Sequence, residues 1–407
     1  DVSQVPVLAG LKLYGQTINA IRYGSWETMS VAGAEITVPG SSTGPVIYAS
    51  SSGITEAHSI LVDVGISFDA VNADNTAVET NRGLYMRNVY VENANDIVST
   101  ADGDTLSGNQ TGWRHVREYA TSPPGGERLK NVFYEIPSFI DGVRQTADYV
   151  DLGEDDENPP ADLLSRNLYN ENTFPSWDTE GAINIKLPPY SAKGDFITDD
   201  TEAIQKAIDD GHETIFFPKG AYGVTETIRL GPDTKLIGVA RHLAMIIAKD
   251  DAGGDFTKVA NPQPVIESAD DSNGTAMMAY LGIYNPQNVP GSYNFNWRTG
   301  RNSIIRNINN IHEISKGTSV IISHHPMMVF SGNGGGKVYG QYRIDKQRAQ
   351  SDDYRVMKIH GTREPLTFYQ FNIEGQGNRY IEVEFNDVQN VTTFSFKDEA
   401  VQQMYLI

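Results

Sequence analysis

Cysteine is absent from the sequence, and basic residues are few. The 407 residues include 52 acidic and 32 basic side chains, so the formal charge is −20 at neutral pH. Without cysteine, the chain has no disulfide, no thiolate nucleophile and no zinc–thiolate site. A polyanion lacks a general basic surface for phosphate groups, so we expect no nucleic acid among its partners. We also predict no metal and no cofactor.

Long apolar runs are missing as well. No run approaches the roughly 18–20 residues that a membrane helix needs, and residues 1–4 show no signal-peptide pattern. We therefore expect a soluble protein with no membrane partner, and the absence of cysteine suits an extracellular or periplasmic location. A hydrophobic content of 39% with ordinary glycine and proline contents favours a globular, β-rich chain.

Short β-type runs dominate the first 150 residues. Residues 60–67 and 84–91 are rich in β-branched and aromatic side chains, and the spacing of such runs indicates a stack of similar turns. Residues 151–160 combine a run of acidic residues with two prolines, which is typical of an exposed connection. We therefore predict a partial first β-helix over 1–150, a linker over 151–181 and a second β-helix over 182–407.

From Ala182 the pattern changes to one helix followed by short strands. Turn residues at 191–195 and several helix-capping oxygens at 198–201 precede an apolar stripe, which predicts a helix over 200–210. Four short strands with tight turns follow between residues 214 and 238. This order predicts a solenoid whose first coil is covered by the helix, because that coil exposes unpaired backbone donors.

Residues 193–208, together with 215–222 and 236–238, resemble the opening motif of pectate-lyase-like right-handed parallel β-helices. The match is similar above all to glycoside hydrolase family 55, a group of exo-β-1,3-glucanases with two β-helices. The resemblance implies an all-β fold: a right-handed parallel β-helix in two parts side by side, with a short capping helix. Residues 113–119 resemble the end of a first β-helix in this family, and residues 297–303 resemble a stretch beside its cleft.

The opening motif occurs once, where two β-helices would have two. The chain also stops abruptly at residues 405–407. We therefore expect a piece of a larger protein, with the missing remainder as a partner.

Two glutamates near the C-terminus are candidate catalytic residues. Glu374 and Glu399 are 25 positions apart, close to one coil of a β-helix, which would place them on neighbouring rungs about 4.8 Å apart. Their carboxyl groups would then suit either a retaining or an inverting glycosidase. The resemblance implies that Glu399 is the general acid and Glu374 the base that orients water. The alternative is that both are solvated glutamates at coil corners.

Residues 293–301 supply ring faces and arginine donors. Such side chains stack on sugar rings and hydrogen-bond to their hydroxyls. The alternative is an aromatic ladder inside the solenoid, which we favour for Phe295 and leave open for Trp297. The candidate substrate-binding residues in this stretch are Tyr293, Trp297, Arg298 and Arg301.

His325 and Glu364 complete the candidate substrate contacts. His325 titrates near neutrality and would transfer a proton, or else it belongs to a buried, hydrogen-bonded structural pair. Glu364 contacts substrate or forms an ion pair with Arg363. The glycine-rich residues 331–337 lack the spacing of a phosphate-binding loop, and we predict a flexible loop lining the cleft.

Three functions remain open. The first is a secreted glycoside hydrolase that cleaves a β-glucan of the β-1,3-linked, laminarin type, with a polysaccharide as its partner. The second is a polysaccharide lyase that acts on uronate polymers by β-elimination, which the charge of −20 mildly disfavours. The third is a non-catalytic carbohydrate-binding or tail-type β-helix. The lyase would use Arg298, Arg301, His325, Lys337 or Tyr339.

Overall fold

The structure is a computed structural model with two compact units, Asp1–Asn170 and Glu171–Ile407. The described residues are 6–24, 28–49, 59–80, 83–100, 103, 105–121, 139–168, 174–286, 288–312, 325–345, 354–374, 381–399 and 403–406. For residues 312, 341–345, 371–374, 381–382, 396–399 and 403–406 the description covers the backbone.

The described residues of unit 1 form short strands and one 3-10 turn, Ser165–Asn167. Its strands are β1 (Val7–Tyr14), β2 (Ile21–Tyr23), β3 (Met29–Val38), β4 (Ile47–Ala49), β5 (Ser59–Phe68), β6 (Thr76–Thr80), β7 (Leu84–Glu92), β8 (Asp96–Thr100), β9 (Thr105–Ser107), β10 (Trp113–Ala120), β11 (Phe139–Ile140), β12 (Val143–Arg144) and β13 (Tyr149–Asp155).

The strands of unit 1 stack in parallel as the sequence predicts. Strands β1, β3, β5 and β7 pair in register, and β2, β4, β6 and β8 form a second parallel sheet. Val31, Leu61 and Met86 occupy one register row and are fully buried, so like side chains repeat from rung to rung. Strand β10 pairs antiparallel with β7, and β9 pairs antiparallel with β8. In the described part of unit 1, parallel stacking therefore ends at β7 and β8.

The acidic run after residue 150 forms a strand, whereas the sequence suggests a linker. Strand β13 pairs antiparallel with β10, and the division between the units falls after Asn170. Arg117 Nη1 lies 3.2 Å from Asp151 Oδ1, and Arg114 forms an ion pair with Asp155. Arginines on the neighbouring strand thus offset the repulsion that makes an isolated acidic run unfavourable as a strand.

Unit 2 contains the α-helix of the described chain, α1 (Thr201–Asp209), and a 3-10 turn, Asp255–Thr257. Its strands are β14 (Ile183–Asn184), β15 (Asp195–Asp199), β16 (Thr214–Phe217), β17 (Gly220–Val224), β18 (Ile228–Arg229), β19 (Lys235–Gly238), β20 (Ala244–Ala248), β21 (Gln263–Glu267), β22 (Met277–Ala279), β23 (Gly282–Asn285), β24 (Ser292–Trp297), β25 (Ile304–Arg306), β26 (Asn309–His312), β27 (Met328–Phe330), β28 (Gly336–Asp345), β29 (Met357–His360), β30 (Leu366–Glu374), β31 (Ile381–Asn386), β32 (Val391–Glu399) and β33 (Gln403–Leu406).

Each coil of unit 2 contributes three strand segments, which stack into three parallel strips. The first strip runs β14-β16-β19-β22-β25 and continues into the first halves of β28, β30 and β32. The second strip runs β15-β17-β20-β23-β26 and continues into the second halves of the same three strands. The third strip is the seven-stranded sheet β18-β21-β24-β27-β29-β31-β33. The predicted parallel β-helix is therefore present in unit 2.

Helix α1 covers the first coil of unit 2, as predicted. Ile204, Ala207 and Ile208 form its buried side. The Gln205 side-chain amide donates to the Arg229 carbonyl at 3.1 Å and accepts from the Arg229 N–H at 2.9 Å. The helix thus satisfies backbone groups of β18 that begin the third strip. In the described chain, no helix has the length and apolarity needed to cross a membrane.

A residue with positive φ marks the corner between the first and second strips on successive coils. These corner residues have φ between 50° and 58°. Glycine accepts this conformation freely, and other residues adopt it at some cost. In β28, β30 and β32 the corner lies inside one continuous bent strand, because register pairing resumes on the other side. The corner residues are Tyr280, Asn307, Gly340, Gln370 and Ser395.

Candidate functional site

Strands β30 and β32 place Glu374 and Glu399 at paired positions. The register joins Glu374 directly to Glu399, so the two lie on neighbouring rungs, about 4.8 Å apart along the stack. Each follows the corner residue of its own strand by four positions, Gln370 in one case and Ser395 in the other. The spacing of 25 residues therefore equals one coil at this point in the stack.

The register also tells which row of the second strip the two glutamates occupy. The row runs from Ile247 through Tyr284, Ile311 and Ile344 to Glu374 and then Glu399. Tyr284 and Ile311 are partly exposed, whereas the adjoining row of Ile246, Ile283 and Asn310 is fully buried. The glutamates thus continue the row that faces away from the core on earlier rungs. Their side chains lie outside the described part of the structure.

Trp297 is a core residue, which corrects its placement among the substrate-binding candidates. Its side chain is fully buried, and its Nε1–H donates to Ser303 Oγ at 2.9 Å. The alternative, an aromatic side chain inside the solenoid, is the one observed. Near it, Phe330 on β27 packs edge to face against Phe295 on β24 and Phe368 on β30, with ring centroids 5.7 and 5.5 Å apart.

Tyr293, which is buried, and His325, which is partly buried, form a stacked pair instead of an open sugar platform. Their rings stack with centroids 4.1 Å apart, and Tyr293 is 7% exposed. Burial raises the pKa of the Tyr293 phenol. Burial also lowers the pKa of His325, although the Pro326 carbonyl, 2.8 Å from Nδ1, acts in the other direction. The pair therefore supports the structural alternative for His325. His324 lies outside the described residues.

Arg298 and Arg301 each lie in an ion pair. Arg298 Nη2 is 2.6 Å from Asp270 Oδ2, and a second carboxylate, Glu267, lies 3.8 Å from Nη1. Arg301 Nε donates to Glu364 Oε2 at 2.9 Å, while 59% of the Arg301 side chain stays exposed. Glu364 thus forms an ion pair, but with Arg301, whereas the sequence suggests Arg363.

Arg363 instead pairs with Asp387 on the following turn. Stacked turns, which the sequence does not reveal, determine both partners. Arg301, with its exposed guanidinium, is the sequence-predicted binding residue that the structure leaves most accessible.

Residues 331–337 form a packed turn, in contrast to the flexible loop predicted from their glycines. A Cβ on Gly334 would lie 2.4 Å from the Trp297 carbonyl oxygen, and one on Gly336 would lie 2.3 Å from the Ser303 oxygen. The Asp270 carboxylate accepts hydrogen bonds from the Asn333 backbone N–H and side chain, both at 2.9 Å. The glycines are thus required by close stacking against the previous turn.

The third strip carries a cluster of charged side chains that the sequence does not predict. Glu384 Oε1 is 2.7 Å from Lys358 Nζ, and Glu384 Oε2 is 3.1 Å from Arg355 Nε. Burial alone would raise the pKa of Glu384, but these two cations outweigh it and hold the pKa below its ordinary value. The Glu384 side chain is 12% exposed. The register of β29 with β31 brings these charges together, and this register is known only from the folded structure.

Comparisons with known proteins agree with this architecture. A family model described as "Rhamnogalacturonase A/epimerase, pectate lyase-like" matches residues 183–341. A glucan 1,3-beta-glucosidase of Cochliobolus carbonum is 25% identical over 177 residues, which are 42% of this chain and 22% of that protein. A probable glucan endo-1,3-beta-glucosidase of Arthroderma benhamiae is 28% identical over 143 residues, 34% of this chain and 16% of that protein.

A further relative comes from a phage. The preneck appendage protein of Bacillus phage PZA is 36% identical over 71 residues, which are 17% of this chain and 8% of that protein. The match to each of these three relatives thus spans at most 22% of the relative's length. The chain is a parallel β-helix protein that resembles pectate-lyase-like proteins and glycoside hydrolase family 55.

Proposed function

We propose that unit 2 carries a glycoside hydrolase site for a β-glucan of the β-1,3-linked type. The observation that carries the proposal is the pairing of Glu374 with Glu399 at one row position on neighbouring rungs. The two relatives whose names refer to glucan β-glucosidases support the choice of substrate class. Because a polysaccharide of this size is met outside the cell, we also propose an extracellular or periplasmic location.

In the proposed mechanism, the two carboxyl groups divide acid and base work. Glu399 protonates the glycosidic oxygen as it leaves, and Glu374 takes a proton from the attacking water. These roles require Glu399 to carry a proton and Glu374 to be charged when the reaction begins. Arg301, exposed at the turn before the first strip, is the proposed donor to sugar hydroxyls.

One observation ranks hydrolysis above β-elimination. A lyase needs cations to neutralise the uronate carboxylate, and Arg298 and Arg301 are the sequence candidates for that role. Both already pair with protein carboxylates, at 2.6 and 2.9 Å. Burial lowers the pKa of a third candidate, Lys337. The site therefore offers little positive charge to an anionic polymer.

The experiment compares a neutral and an anionic polymer. The protein is incubated with laminarin and, separately, with pectin and alginate, while reducing ends and the ultraviolet absorbance of unsaturated products are followed. We expect reducing ends from laminarin without the unsaturated chromophore. Glu399→Gln should lower the rate by about 10²–10⁴-fold, the usual contribution of a general acid.

The matched control is Glu202→Gln, the same change at an exposed residue of α1. It should leave the rate unchanged. The proposal is overturned by unsaturated products, by full activity in Glu399→Gln, or by binding of laminarin with no product at all. The last outcome would favour a non-catalytic carbohydrate-binding or tail-type β-helix.

A further inference from the structure

One tryptophan of unit 2 faces solvent. Trp177 is 68% exposed, whereas Trp297 is fully buried. A ring of this size buries more apolar area than most side chains when it is covered, so leaving it open forgoes a large stabilising contact. The neighbours of Trp177 in the chain are polar, and residues 176 and 178–180 are themselves exposed. The exposed ring is thus surrounded by hydrogen-bonding groups along the chain.

The turn that carries Trp177 is held in one conformation. The Ser176 backbone N–H donates to Thr179 Oγ1 at 2.8 Å, and the Ala182 N–H donates to the Thr179 carbonyl at 2.9 Å. The Ser176 hydroxyl donates to the Asp178 carboxylate. A ring on such a turn loses little conformational freedom when it binds a ligand.

A second contact anchors this turn to the wall of the solenoid. Phe174 lies edge to face with Tyr280, with centroids 6.1 Å apart, and the Arg306 guanidinium stands 5.3 Å from the centre of the Phe174 ring. Trp177 follows Phe174 by three residues, which span at most about 11 Å. Trp177 is therefore held near the rungs of β22 and β25 on the first strip.

That position can be related to the candidate acids by counting rungs. Arg306 pairs with Tyr339, which pairs with Tyr369, and the strands of those two residues continue around the corner toward the acids. Strand β25 is two rungs from β30 and three from β32. Along the stack this corresponds to about 10–15 Å. A polysaccharide bound at the acid pair reaches this distance only with several sugar units.

We propose that Trp177 is the platform of a remote glucan subsite, several sugar units from Glu374 and Glu399. The indole face stacks on the apolar face of a pyranose ring, and the Asp178 and Glu180 carboxylates accept hydrogen bonds from its hydroxyls. The two carboxylates suit a neutral sugar and repel a polyuronate at close range. This inference rests on the proposed glucan substrate.

The test compares substrates of different length. For Trp177→Ala, kcat/KM on laminarin should fall about five- to tenfold, as expected for loss of one aromatic contact. On the shortest laminari-oligosaccharide that the protein cleaves, kcat/KM should stay unchanged, because that substrate does not reach the turn. Trp177→Phe keeps a ring and should recover part of the loss. The control is Leu187→Ala, since Leu187 is 57% exposed and should show no loss.

A binding measurement separates this inference from the proposed activity. Laminarin should protect tryptophan emission from an aqueous quencher in the wild-type protein, and this protection should shrink in Trp177→Phe. If the protein binds laminarin in this way but does not cleave it, the proposed function fails and the subsite stands. If laminarin is cleaved and Trp177→Ala affects long and short substrates equally or not at all, the subsite is refuted while the function stands.

Discussion

Replacing Trp297 by phenylalanine should lower stability and leave glucan binding unchanged. The indole Nε1–H donates to Ser303 Oγ at 2.9 Å, a buried hydrogen bond worth about 1 kcal/mol. Ser303 Oγ keeps its acceptors, the carbonyls of Thr299 and Gly335 at 3.1 and 3.0 Å, so no hydroxyl proton is left without a partner. The smaller ring leaves a void that adds about 1–2 kcal/mol, as in other large-to-small core changes.

The sum, about 2–3 kcal/mol, should appear as a lower melting temperature. For a unit of this size, it corresponds to a decrease of about 4–12 °C, measured by calorimetry or far-ultraviolet circular dichroism. Trp177→Phe is the matched control, because the same chemical change at an exposed position should alter the melting temperature little. Laminarin affinity in Trp297→Phe should equal that of the wild type. Weaker laminarin binding with unchanged stability would show that the indole ring faces the ligand, and the account of Trp297 as a core residue would be refuted.

Three further predictions concern packing and pH. Gly334→Ala should destabilise unit 2 by more than Gly361→Ala in urea titrations. The new Cβ at position 334 would lie 2.4 Å from a backbone oxygen, whereas at position 361 there is open space and alanine would be strained only by the φ of 72°. Equal destabilisation by the two variants would contradict the packed turn. Phe330→Ala should lower the free energy of unfolding by about 3–5 kcal/mol and Phe330→Leu by far less, since the Phe330 ring is fully buried between two other rings. A decrease below about 1 kcal/mol for the alanine variant would argue against this packing of aromatic rings. Burial alone would raise the pKa of Asp270, but hydrogen bonds from Asn333 and the charge of Arg298 lower it overall. The ionised Asp270 carboxylate therefore stabilises the fold above its ordinary pKa of 3.8, and this stabilisation is lost as the pH falls below that value. Asp270→Asn should reduce the decrease of melting temperature at acid pH, and an unchanged decrease would exclude this carboxylate as its source.

Features that depend on neighbouring residues in the chain could be predicted from the sequence. The stripe of Ala203, Ile204, Ala207 and Ile208 predicts a helix, and α1 is observed at Thr201–Asp209. The short strands between residues 214 and 238 are observed as β16–β19. The periodicity of apolar residues sufficed for these elements because the buried side of a helix or a strand is marked by apolar residues only a few positions apart.

Partners on other coils could not be predicted in this way. The spacing of Glu374 and Glu399 indicated adjacent rungs because one coil length can be counted along the chain. The partner of Glu364 could not be counted, since Arg301 is 63 residues away and reaches it through stacked turns. Asp200 is a similar case: its position suggests a helix cap, yet its carboxylate accepts from the N–H groups of Lys193 and Gly194.

The corner residues between the first and second strips make the position of the acid pair sensitive to insertions in the chain. Glu374 and Glu399 are each four residues beyond their corners, Gln370 and Ser395. Because successive strand residues alternate between the two faces of a sheet, inserting a single residue between Ser395 and Glu399 would move Glu399 into the adjoining, core-facing row. The four-residue interval after each of these two corners therefore determines which face of the sheet the acid pair occupies.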